Sequence, residues 1–262
     1  MTLAIEQFWI TRQSQKEKQA ASGRQDAGTR GEVTGGAHMA AMENLVAEIL
    51  VSTGLPDLQI YNATSNRAFR TARPRTNKQS REAGERSGLD LPGYFRAQKN
   101  WDMLVLSEGR LVAAVEIKGQ VGSIGNNANN RMEEVIGGAQ DFWTAYREHR
   151  LGLQAPTPFL GYIFLLEDSP EVHTPISIKE TFFEIDPIFK NDAPIGKSVS
   201  YADRYLILCR RLQLERLYTA TCLLLATRGP GTRVSQPTAE ATFRTFMASL
   251  IGHATAFVLS QP

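Results

Sequence analysis

Two short segments carry residue types that could do chemistry together: Trp101-Asp102, and Val115-Glu116-Ile117-Lys118. Side chains alternate across a strand, so Glu116 and Lys118 project together while Ile117 points to the opposite face. The turn signal Ser107-Glu108-Gly109-Arg110 separates an apolar run at 101–106 from another at 111–118, the pattern of a β-hairpin. Centred on residue 109, that hairpin sets Asp102 close to opposite Glu116. Two carboxylates placed together repel and lose solvation unless a cation joins them. Hard oxygen ligands of this kind select Mg²⁺, which keeps several waters. Such an ion polarises a phosphodiester and lowers the pKa of bound water. Lys118 can orient or help deprotonate an attacking water and neutralise developing charge. The set suffices for in-line hydrolysis of a phosphodiester. A plainer reading of the same residues is a cross-strand salt bridge at a sheet edge, and the Glu-x-Lys tripeptide alone does not separate the two.

The elements that must position these residues can be read outward from the hairpin. Residues 1–22 read as a helix and 22–36 as a Gly-rich loop. A second helix spans 38–53, with Met39, Met42, Leu45, Val46, Ile49 and Leu50 at spacing three and four, stopped by Gly54-Leu55-Pro56. Leu58 to Tyr61 reads as a short strand. After the hairpin, residues 119–130 are rich in Gly and Asn and read as neither helix nor strand. A helix follows from about Arg131 to Glu148, with the stripe Met132, Val135, Ile136, Ala139, Phe142, Trp143 and Tyr146. Phe159 to Leu166 reads as a strand buried on both faces. Helix, strand and helix follow at 199–217, 219–226 and 238–258. This order predicts one α/β domain over 1–262, a mixed β-sheet flanked by helices with an N-terminal helical extension.

Composition narrows the class. The chain has 262 residues, 42% of them hydrophobic, and no run of about 18 apolar residues that would span a membrane. Its start lacks the basic, apolar and small-residue pattern of a signal peptide. Cys209 and Cys222 lie in apolar stretches and read as buried free thiols, and the four histidines show no zinc spacing. Net charge is only +2, but residues 62–100 hold nine basic residues against Glu82, Glu85 and Asp90. That band suits a phosphate-binding footprint or a solvated basic loop.

Longer runs around the hairpin resemble the XhoI-type type II restriction endonucleases of the PD-(D/E)xK nuclease superfamily. They are Leu91-Pro92-Gly93-Tyr94-Phe95-Arg96, Lys99-Asn100-Trp101-Asp102, Glu116-Ile117-Lys118-Gly119-Gln120-Val121-Gly122 and Gly125 to Arg131. Asp141 to Glu148, Gly161 to Asp168, Glu215 to Tyr218 and Thr34 to Ala37 continue the match. The resemblance implies a restriction-endonuclease-like core and a homodimer of the prokaryotic cytoplasm that cuts double-stranded DNA with Mg²⁺. It implies a short palindrome, CTCGAG or a related site, cut to leave 5′ overhangs. It makes Asp102 and Glu116 the metal ligands and places Lys118 at the attacking water. Two departures stand out: the basic stretch 62–88 reads as an insertion, and Lys-Asn-Trp before Asp102 lacks the superfamily's usual proline. A fold-mate that binds DNA without cutting, and a repair or methylation-directed nuclease, are the alternatives.

Further DNA contacts are expected on either side of the hairpin. Arg96 and Lys99 enter with the strand and suit phosphate. Asn126, Asn127, Asn130 and Arg131 could read base edges, or could form turns and cap the following helix. Nucleases of this superfamily sometimes recruit a helix acid; Glu43 borders the apolar stripe of the second helix and Glu48 points further away, though a solvated face explains both. Trp101, Phe142 and Trp143 read as core.

Overall fold

The computed structural model describes residues 1–21, 39–62, 89–152, 156–178 and 199–260. The expected basic insertion and the Thr34 to Ala37 run lie outside the described residues, apart from Asn62. Among the described residues, helices α1 (Thr2–Ala21) and α2 (Ala40–Ser52) precede strand β1 (Leu58–Asn62). A short pair, β2 (Asp90–Pro92) and β3 (Gln98–Asn100), comes next, then β4 (Met103–Ser107) and β5 (Arg110–Gln120). Helix α3 (Ile124–Arg147), strand β6 (Phe159–Glu167) and the single turn α4 (Pro170–His173) follow. The chain continues with α5 (Tyr201–Leu214), β7 (Ala220–Ala226), β8 (Val234–Ser235) and α6 (Phe243–Leu259).

Six strands form one mixed sheet in the order β1-β4-β5-β6-β7-β8. The hairpin pair β4–β5 is antiparallel, whereas β5–β6 and β6–β7 are parallel. Parallel central strands must be covered on both faces, which is why β6 and β7 read as unbroken apolar runs. Two cores result. Ile5 and Phe8 of α1, Met42 and Val46 of α2, and Phe246 and Leu250 of α6 pack on one face with Met103, Val105, Val115 and Ile117. Val135, Ala139 and Phe142 of α3 and Tyr205 and Leu212 of α5 pack on the other with Leu104, Ala114, Tyr162 and Phe164. The architecture is the expected α/β sandwich around a mixed sheet. No described helix is long and apolar enough to cross a membrane.

Two local expectations need correction. Helix α3 starts at Ile124, about two turns before Arg131. Gly and Asn have low helix propensity, but Ile124 and Ala128, one turn apart, are buried against the sheet, and packing outweighs propensity. Ile136, placed on the buried stripe of that helix, is 44% exposed. The pairing at the site end of the hairpin is as expected, with Met103 opposite Val115, while a bulge between Val105 and Leu106 shifts the register nearer the turn.

Candidate active site

The carboxyl end of β5 and the residues entering β4 bring Asp102, Glu116 and Lys118 together. Asp102 lies just ahead of β4, and its Oδ2 accepts a hydrogen bond from the Ile117 amide at 2.7 Å. A side chain thus takes the place of a ladder carbonyl and fixes the carboxylate against β5. Glu116 is buried at 2% exposure on the α3 side of the sheet, and Ile117 enters the opposite core. The Lys118 ammonium lies 2.9 Å from Glu116 Oε1 and 3.8 Å from Asp102 Oδ2.

Lys99 of β3 joins the cluster from the side. Its Nζ lies 2.8 Å from Glu116 Oε1 and 4.3 Å from the centre of the Trp101 ring. It is turned inward, with a side chain only 11% exposed. Gly138 of α3 makes this approach possible: a Cβ there would lie 3.1 Å from Lys99 Nζ and 3.6 Å from Glu116 Oε2. A glycine inside a helix costs about 1 kcal/mol relative to alanine, so the space it leaves is bought at some cost. Buried Tyr218, after α5, completes the set. Its hydroxyl is 3.3 Å from both Glu116 Oε2 and the Val135 carbonyl.

The charges decide the protonation states. Burial alone would raise the Glu116 carboxyl, but Lys118 and Lys99 outweigh it and hold the group below its ordinary range. Burial likewise works against the Lys118 ammonium, and Glu116 with Asp102 reverses that and raises it. Asp102 keeps 26% of its side chain exposed, yet burial raises it above the usual carboxylate range despite Lys118 and the Ile117 amide. Tyr218 is raised well above a free phenol, first by burial and then by Glu116, so it keeps its proton and can donate. Asp102, Glu116, Lys118 and Lys99 thus form a mutually paired cluster at the mouth of the sheet.

The other expected contacts spread over the flank of α3. Arg96 Nε pairs with buried Asp141 Oδ2 at 2.7 Å and leaves 46% of its side chain exposed. Asn126 and Asn130 are exposed. The Asn127 amide donates to the Ser123 carbonyl at 2.9 Å and so serves the helix start. Arg131 bridges Gln120 at 3.4 Å and Glu134 at 2.6 Å. Glu43 is buried, which removes the solvated-face reading for it, whereas Glu48 is exposed. Trp101 and Phe142 are core, in edge contact at 5.3 Å, and Trp143 is half-buried with its indole N–H on the Leu217 carbonyl. Tyr218, Gly138, Asp141 and the inward turn of Lys99 were not singled out by spacing. Each lies within or one turn from a run that carries the family resemblance, the only signal that marks them.

Among the described residues no three His, Cys, Asp or Glu side chains gather as a metal-binding group. The donors available to a cation are the two carboxylates, hard oxygens at the rim of the sheet. They fit an ion such as Mg²⁺, which takes one or two carboxylates and completes its shell with water and phosphate oxygens.

A family model described as restriction endonuclease XhoI matches residues 18–79 and 74–236, the two segments meeting within the basic stretch. Type II restriction enzyme BstVI of Geobacillus stearothermophilus is 38% identical over 241 residues, 89% of this chain and 93% of the relative. Type II restriction enzyme AbrI of Azospirillum brasilense is 42% identical over 63% of this chain and 64% of its own. Type II restriction enzyme XhoI of Xanthomonas vasicola is 38% identical over 81% and 74%. No solved structure matches.

Proposed function

Because the chain belongs to the XhoI restriction endonuclease family, we propose that it is a type II restriction endonuclease whose hydrolytic centre is Asp102, Glu116 and Lys118. The observation that carries this reading is the Lys118 ammonium set between the two carboxylates, 2.9 Å from one and 3.8 Å from the other. Asp102 and Glu116 would hold Mg²⁺, which when bound polarises the scissile phosphodiester and supplies an acidified water.

The chain's own groups do the rest. Lys118, held as an ammonium by its two partners, donates to the attacking water or a phosphate oxygen and offsets the charge that builds on the phosphoryl group. Water attacks phosphorus in line, one P–O bond forms as the opposite one breaks, and the proton that the water gives up balances the one that the departing oxygen takes up. Tyr218, on the other carboxylate oxygen, helps to keep Glu116 in one orientation as charge develops.

The substrate is duplex DNA. The family resemblance supports a palindrome, CTCGAG or a related one, cut to 5′ overhangs by a homodimer. Arg96 and Arg131 suit phosphate, and Asn126 and Asn130 remain exposed to reach a duplex edge. The test is plasmid cleavage in Mg²⁺ by the wild type and by Glu116→Gln and Lys118→Met, with the fragment ends mapped. Each substitution should lower the rate by about 10²-fold or more. Cutting at the wild-type rate by either variant ends the assignment.

A further inference from the structure

The β2–β3 hairpin stands apart from the main sheet, and its turn carries two aromatic side chains outward. Tyr94 is 42% exposed and Phe95 70%. The turn itself is tightly held. Buried Asp141 of α3 accepts from the amides of Tyr94 and Phe95, each at 2.8 Å, and pairs with Arg96 Nε at 2.7 Å. A Cβ at Gly93 would lie 2.6 Å from the Arg96 carbonyl oxygen and 2.7 Å from Asp141 Oδ2, so the turn closes onto the helix only because residue 93 has no side chain. The two rings meet edge to face at 4.9 Å, and the Arg150 guanidinium lies over Tyr94 at 5.3 Å. A buried carboxylate is an expensive fastening for a surface turn, since its desolvation must be repaid by those three bonds. What the turn presents, rather than core stability, accounts for it.

The tip stands beside the catalytic cluster. Asp141 follows Gly138 by three residues, about 4.5 Å along the helix axis, and Gly138 abuts Lys99 Nζ and Glu116. Phe95 lies four positions before Lys99 of β3, no more than about 14 Å of chain. A duplex rises about 3.4 Å per base pair, so that reach spans about four base pairs from the cleaved phosphate.

We propose that Phe95, braced by Tyr94, packs against the bases and sugars of duplex DNA within that distance of the cut, with Arg96 and Arg150 on the adjoining phosphates. This rests on the nuclease reading above. A rigid apolar side chain between basic groups, continuous with the site of phosphodiester attack, has the chemistry of a nucleic-acid contact rather than of a solvated turn.

The experiment compares Phe95 with Phe95→Ala on a Glu116→Gln background, binding a duplex that carries the site mapped from wild-type digestion. Titrations run at several salt concentrations, and sedimentation reports the oligomeric state. The expected result is about a tenfold weaker binding with an unchanged salt slope and unchanged assembly, because an apolar contact is lost and no charge is. Unchanged affinity overturns the proposal. So does a loss of assembly, which would give the tip to a protein interface, or a flatter salt slope, which would mean that charge contacts were lost instead. Plasmid cleavage by the wild-type enzyme separates the two readings. If it cuts nothing, the nuclease reading fails, whereas cutting together with unaltered Phe95→Ala binding sinks only the contact.

Discussion

The Lys99 ammonium lies 2.8 Å from Glu116 Oε1, the same oxygen that Lys118 reaches at 2.9 Å. One buried carboxylate oxygen is shared by two cations from two different strands. A hard metal ion that took this oxygen would have to loosen at least one of them, so the paired lysines would compete with it.

Lys99→Met should therefore strengthen binding of Mn²⁺ or Mg²⁺ to the DNA-free enzyme by about tenfold, a small part of the Coulomb energy of a pair at this separation. Lys118 remains to keep Glu116 paired, so the fold should survive. Calorimetric titration of the two proteins checks it. Equal or weaker metal affinity in the variant would show that Lys99 does not stand in the metal's way.

Tyr218→Phe removes one hydroxyl whose two acceptors, Glu116 Oε2 and the Val135 carbonyl, both lie at 3.3 Å. One proton serves one acceptor at a time, and both contacts are long. The loss of stability should be about 1 kcal/mol. Single-turnover cleavage should slow while DNA affinity stays the same, because the hydroxyl orients Glu116 and does not face the duplex. Urea denaturation and a rapid-quench assay measure the two effects.

The two thiols should be inert in the folded protein. Burial pushes Cys209 up to about 12, against a hydrogen bond with Thr221, and raises Cys222 well above its ordinary value. Both side chains are buried in the cores, so neither thiolate nor access is present at neutral pH. A thiol-reactive disulfide reagent should label neither cysteine in native enzyme and both after denaturation.

His253 should make stability fall as the solution is acidified. Burial lowers its pKa below 6.5, and a hydrogen bond with the Val112 backbone offsets this only in part. The unfolded chain then binds the proton more readily than the folded one, so the contribution is full above about pH 6.5 and declines as pH falls below it. Phe159 and Phe257 flank the ring at 5.8 and 6.4 Å, a setting that suits His253→Phe. Denaturation midpoints at pH 7.5 and 5.5 should differ less in that variant than in the wild type. An equal loss in both would remove His253 as the cause.

The strands were legible because burial leaves a mark on composition. Phe159 to Leu166 and Cys222 to Ala226 are apolar without alternation, as strands covered on both faces must be. The hairpin arithmetic located Asp102 opposite Glu116 because pairing near the site runs without a slip. The start of α3 was not legible. Its first two turns are Gly and Asn, and only the burial of Ile124 and Ala128 against the sheet makes them helical.

The sequence by itself determined the central strands, their helical cover and the grouping of Asp102, Glu116 and Lys118, because strand alternation and a tight turn are local rules. Only the tertiary structure decided what surrounds the triad. Lys99, Gly138, Asp141 and Tyr218 come from a separate hairpin, a helix and a loop, and no short-range pattern says which carboxylate a distant lysine or phenol will find. That choice follows from how α3 packs on the sheet, with a glycine where the Lys99 ammonium must pass and an aspartate where the β2–β3 turn must be held.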